Sequence, residues 1–161
     1  MGSPANEELR DRVAGYLGTH HTMTIATTDP GGNTPHAACV FYAMDEALRL
    51  VFLSKPVSVH GMHIGETAPV AVTVTEDYGD WEMIQGVQLW GEARLLGGAA
   101  KAGAFALYLK RFPFVRDLLG RPGAMEMIRN IGVYRVAPHR AAFTDNTTGV
   151  FGREILELTT E

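Results

Sequence analysis

Short apolar runs separated by tight turns constrain this chain more than any other feature. Met23, Ile25 and Thr27 alternate with threonines, the period of a half-buried strand. Asp29-Pro30-Gly31-Gly32 is strong turn chemistry, so the run from about Pro35 to Met44 folds back as a hairpin. A second turn near Asp45-Glu46-Ala47 delivers a buried strand at Leu48 to Leu53. Ala68 to Thr75 reads as a central strand, and Tyr78-Gly79-Asp80 breaks it. Met83 to Leu96 reads as one long strand, with Val87, Leu89 and Ala93 on one face and Gln88, Trp90 and Glu92 on the other. Gly97-Gly98 stops it. Strand pattern returns at Ile131 to Phe143, then a loop from Thr144 to Gly152 and a last strand at Ile155 to Leu158.

Helices fill the gaps in two places. Ser3-Pro4 with Asn6-Glu7-Glu8 opens one at about residues 4–18, where Leu9, Val13 and Tyr16 or Leu17 form an apolar stripe that Gly18 ends. The second region, about residues 99–129, carries a stripe of Ala100, Ala104, Leu107 and Tyr108 and is divided by Pro113, Gly120 and Pro122-Gly123. Antiparallel strands joined by tight turns, with helices bunched apart from them, predict a mainly β (α+β) fold: an antiparallel β-barrel with peripheral helices. A length of 161 residues fits one domain, residues 1–161.

Charge excludes some functions. The net charge is −4 and Lys and Arg form no block, so the sequence predicts neither nucleic-acid binding nor a basic membrane patch. No apolar run reaches a membrane span, and MGSPANEEL is too acidic and polar for a signal peptide. A single cysteine, Cys39, allows no internal disulfide and fits a reducing cytoplasm; its apolar strand predicts that it packs as a small hydrophobe.

Side-chain catalysis has no signature here. No G-x-S-x-G, Walker loop, H-E-x-x-H or G-x-G-x-x-G occurs, and the carboxylates form no acid–base pair. His60 and His63 are three apart on a predicted short helix, yet no third metal ligand is signalled nearby. His20-His21 falls where an imidazole meets a helix C-terminus favourably. Any hard chemical step therefore falls to a cofactor. Phe41, Tyr42, Trp81, Trp90 and Phe143 could flank a flat ring or simply fill the core. Ser54 and Ser58 stand where a strand gives way to the short helix through His60 and Met62. That turn suits an anion, or Ser58 merely caps the helix. The polar stretch Phe143 to Gly152 reads equally as a ligand loop or an Asx-type turn.

Taken in order, several pieces resemble the pyridoxamine 5′-phosphate oxidase-like split-barrel family. They are Thr22 to Thr27, the Asp29 to Gly32 turn, Val51-Phe52-Leu53-Ser54, and Gly86 to Ala93. Gly86-Val87-Gln88 with Gly91-Glu92, Arg111-Phe112-Pro113, and Phe143 to Thr147 with Gly149 and Phe151-Gly152 resemble its YhbP-like branch. The resemblance implies a split barrel of the FMN-binding type and a homodimer with two flavin mononucleotide (FMN) sites at its interface. It sets the flavin ring against Val40 and Phe41 and the phosphate near Ser54, Lys55, Ser58 and His60, with Leu53 also among the cofactor-binding residues. Gln88 would reach the ring from the partner subunit, and Asn146 and Phe151 would shape the substrate side.

One departure matters. The Arg and Lys with which fuller family members grip the phosphate correspond to Ala38, Ala43, Val59 and His60, of which only His60 can carry charge. Losing three charged hydrogen bonds, each about 1.5–3 kcal/mol, weakens binding about a thousandfold or more. Lys55 is the nearest substitute, and Arg111, Arg140 and Arg153 could arrive from elsewhere in the dimer. The implied activity is flavin-dependent oxidoreduction, with pyridoxamine phosphate disfavoured because no Arg cluster offers a second phosphate site. The alternative is a non-catalytic barrel binding flavin, haem or another flat ligand, or no cofactor at all. For haem, His20, His21 and His139 are the candidate ligands.

Overall fold

Hydrogen-bond registers close the sheet on itself. The computed structural model describes residues 4–149 and 151–158. The Ser3 part of the helix-start signal and Val150 of the polar stretch lie outside the described residues. Strands β1 (Thr22–Thr28), β2 (Pro35–Met44), β3 (Leu50–Ser54), β4 (Thr67–Thr75), β5 (Gln85–Leu95), β6 (Gly132–Asp145) and β7 (Arg153–Glu157) are antiparallel, in the order β3-β2-β1-β4-β5-β6-β7. The first half of β6 also pairs with β3, from Val136 opposite Leu50 to Gly132 opposite Ser54. Six strands thus form a closed barrel, and β7 extends it along the second half of β6.

Turn chemistry sets the register. The Asp29 carboxylate accepts the backbone N–H groups of Asn33 (2.8 Å) and Thr34 (2.5 Å), so Thr28 pairs with Pro35 and Thr27 with His36. The same device recurs at Asp45, whose carboxylate accepts from the amides of Ala47 and Arg49. There the buried Leu48 adopts a left-handed φ of 60°, so β3 starts at Leu50 and not at Leu48. At Gly91 the β5–β6 register shifts, and a Cβ would strike the carbonyl of Ala137, so only glycine fits this close approach.

Helix α1 (Pro4–Thr19) lays Leu9, Val13 and Leu17 on the barrel core. Each buried aliphatic side chain contributes about 1.5–3 kcal/mol, against about 0–1 kcal/mol for the exposed Arg12–Glu154 pair, so the apolar stripe anchors the helix. Helices α3 (Gly98–Arg111), α4 (Pro113–Leu119) and α5 (Ala124–Asn130) follow β5. The α3 side chains Ala104 and Tyr108, with Phe112 after them, cover Ala43, Val51 and Val133 on the outside of the barrel. Ala100 of the expected stripe is exposed.

Three further expectations change. Trp81–Met83 is a 3-10 turn capped by the Asp80 carboxylate, so β5 begins only at Gln85. β6 runs on to Asp145, which caps another 3-10 turn, Asn146–Thr148, and β7 starts at Arg153. Cys39 is exposed rather than packed, because Ala38 and Val40 take the inward positions beside it.

Candidate functional site

The site starts where β3 passes into the short helix α2 (Val59–Ile64). Alternation along β3 turns Phe52 and Ser54 one way and Leu53 the other, toward α3. Ser58 caps α2, accepting from the Gly61 N–H at 3.1 Å while donating its own proton to the Lys55 carbonyl at 2.7 Å. Ser58 lies 3.1 Å from the Ser54 hydroxyl, which lies 2.6 Å from Nε2 of His60. Counting protons orders the chain. With the Ser58 proton committed, Ser54 donates to Ser58 and accepts from the His60 Nε2–H. Glycine at 61 allows the fold-back: a Cβ there would sit 2.6 Å and 2.8 Å from the carbonyl oxygens of Lys55 and Pro56.

Two more imidazoles complete the cluster. His36 stacks on His60 with ring centroids 5.9 Å apart, and His63 stands edge-on to His36 at 6.0 Å. Nδ1 of His63 is 3.0 Å from the Thr27 hydroxyl. Burial, then the neighbouring His36 and His63, push the His60 pKa below its ordinary 6.5, so the ring is neutral at pH 7. Asp29 is held below the carboxylate range by the Thr34 amide first, with Asn33, Gly31 and His63 adding to it. Among the described residues, no group of three His, Cys, Asp or Glu side chains is arranged to hold a metal ion.

Of the residues expected at a cofactor, Ser54, Ser58 and His60 come together. Val40 packs toward the barrel core, and Phe41 turns outward against Phe112 and Phe114. The β2–β3 ladder ends at the Tyr42–Phe52 pair, and the edge of β2 carrying Val40 and Phe41 runs on past it. Lys55 lines a separate cleft with Leu96 and Arg129. Gln88 lies elsewhere on the outer face, accepting from Arg153 at 2.8 Å, beside a Trp90 ring flanked by the guanidinium groups of Arg140 and Arg153. Arg111 donates to the carbonyls of Gly18 and His20. Asn146 donates to the Trp81 carbonyl at 2.8 Å, while its Oδ1 is buried with no partner among the described residues. Phe151 is 83% exposed with a left-handed φ of 59°.

The haem candidates are dispersed. His20 is engaged at both nitrogens, by the Tyr16 carbonyl at 2.6 Å and Glu76 at 2.8 Å, whereas His21 and His139 are exposed. His36 and Thr27 escaped the sequence reading of the site. Their signal was the Asp29 turn, since a hairpin pairing Thr28 with Pro35 necessarily sets His36 opposite Thr27.

Residues 7–145 match the family model described as pyridoxamine 5′-phosphate oxidase. The chain belongs to that family. A UPF0306 protein of Klebsiella pneumoniae (strain 342) is 36% identical over 119 residues, 73% of each chain. The UPF0306 protein YhbP of Escherichia coli O157:H7 is 30% identical over 152 residues, 94% of each, so the chain falls in the YhbP-like branch. Among solved structures, a haem-binding protein from Mycobacterium smegmatis superposes with a TM-score of 0.68 at 19% identity. The match covers 98% of this chain and 59% of that longer one, and it shows a common fold.

Proposed function

We propose that two copies of this chain bind flavin mononucleotide between them and act as a flavin-dependent oxidoreductase. The observation that carries this reading is the chain from His60 through Ser54 to Ser58, at the turn where β3 gives way to α2. Two hydroxyls can rotate to donate to a phosphate, and an imidazole can take up a proton beside it. The free edge of β2 at Val40 and Phe41 would offer backbone groups to the ring system. The redox chemistry is the flavin's own.

Dimerisation is part of the proposal. Ala37, Cys39, Ala26 and Thr73 line the outer side of β2, β1 and β4, small side chains that let a second sheet approach closely. Gln88, with Asn146 and the exposed Phe151, would then reach the site from the second copy. The exposed, unpaired Cys39 fits a cytoplasmic setting. Adding flavin mononucleotide to the purified protein should perturb the flavin absorption bands and quench its fluorescence. Unchanged spectra at high protein concentration would count against the proposal.

A second reading, haem or another flat ligand without turnover, is supported by the structural likeness to the haem-binding protein of M. smegmatis. A Soret band on haem addition, lost in H21A or H139A, would favour it.

A further inference from the structure

We propose that the half-open groove formed by α3, α4 and α5 against the barrel is a binding site for a free long-chain carboxylate. It lies on the far side of β3 from the imidazole cluster, because Leu53 points there while Ser54 faces His60. Leu53, Phe105, Leu118, Ile128 and Val133 are among the side chains lining this half-open cavity of about 410 Å³. Small-molecule sites start at about 300 Å³, so this groove is large enough to hold one. Apart from the Tyr108 hydroxyl and the Lys101 ammonium, the side chains lining it are hydrocarbon or the thioether of Met127.

That composition selects the occupant. A heterocycle needs several fixed polar groups to orient it, and this cavity does not supply them. A hydrocarbon chain needs none. The charged end is specified by the neighbouring cleft of about 750 Å³, which shares Lys101, Met127 and Ile131 as walls. Lys55, Lys101 and Arg129 line that cleft with one carboxylate, Glu126, in a chain whose net charge is −4. An anionic head at Lys101 with its tail beneath α3 satisfies both volumes. The proposal is independent of the flavin reading.

Calorimetric titration of the full chain with octanoate, decanoate and dodecanoate, each below its micelle concentration, tests it. Burial of the tail predicts a gain of about fourfold in affinity per methylene, about fifteenfold per two-carbon step. K101Q should weaken dodecanoate about tenfold and leave dodecanol unchanged. A102W, at the exposed rim of the cavity, should weaken both ligands at least tenfold while flavin titration stays as in the wild type. The chain-length series and K101Q stand even should A102W misfold. Affinity that ignores chain length, K101Q binding dodecanoate like the wild type, or binding confined to anionic phospholipid vesicles would each overturn the proposal.

Discussion

The His36 and His60 rings lie nearly parallel, within 7° and with centroids 5.9 Å apart. In this half-buried place His60 resists protonation, since burial first and then the neighbouring His36 and His63 disfavour its charge. An anion reverses that balance. A phosphate beside His60 favours the imidazolium, so binding takes up a proton.

Affinity for flavin mononucleotide should therefore rise as pH falls from about 8 toward about 6, by about tenfold or more for one charged hydrogen bond. Below about pH 6 the phosphate loses its own second charge and the trend should reverse. The Ser54 and Ser58 hydroxyls remain in H60A, so that variant should flatten the profile rather than remove all binding. Fluorescence-quenching titrations across the range check this, and an H60A profile identical to the wild type would remove His60 from the site.

Protein stability should show two separate acid windows. The folded His60 pKa is depressed below the unfolded value, so the unfolded chain binds more protons. Its contribution is complete above about pH 6.5 and is lost as pH falls through the depressed value. Asp145 acts lower. Desolvation pushes its pKa up, but hydrogen bonds from Thr147, Gln85 and Arg12 outweigh that, and its contribution survives until pH falls through a value below 3.8. Urea midpoints measured against pH should lose the first window in H60Q and the second in D145N.

Replacing Ser58 in two ways separates cap from anion site. S58A removes the cap and should cost about 1 kcal/mol, lowering Tm by about 2–4 °C. S58D keeps a good cap and should melt near the wild type, yet its carboxylate should repel a phosphate and abolish flavin binding. Wild-type affinity in S58D would mean that the phosphate binds elsewhere.

Gly61 should tolerate no side chain. In G61A the new methyl would press on the Lys55 and Pro56 carbonyls, and relief requires shifting α2 away from the turn. We expect a loss of about 1–3 kcal/mol in thermal or urea unfolding, with weaker flavin binding. A melt like that of the wild type would show that the turn yields freely.

Phe151 combines exposure with backbone strain, a pairing that stability alone does not favour. F151G should leave unfolding unchanged or raise Tm, because a left-handed conformation costs an L-residue about 1–2 kcal/mol. The same variant should weaken dimerisation or flavin binding, measured by sedimentation and fluorescence. A variant unaffected in both would leave the exposed ring without a role.

Much of the architecture is written in local patterns. Period-two alternation at Met23 to Thr27, the Asp29 turn and the apolar stripe Leu9, Val13, Leu17 each specify an element through neighbours a few residues away. Boundaries failed where a side chain competed with the ladder. The Asp45 carboxylate gathered amides and delayed β3, and the Asp80 and Asp145 caps converted strand and loop ends into 3-10 turns. Cys39 went astray because a mostly apolar run does not say which of its faces is inward.

The sequence by itself determined the strands, their turns and the Ser54–Ser58–His60 segment, carried by contacts within about ten residues, and the number and order of those pieces gave the barrel class. Only the tertiary structure decided that His36 stacks on His60, that the β2–β3 ladder stops at Tyr42, and that a hydrocarbon-lined cavity lies behind Leu53. Those outcomes depend on strand register and on how helices settle against a closed barrel. Register shifts by one residue exchange every inward and outward side chain, so such contacts are fixed by the whole packed core.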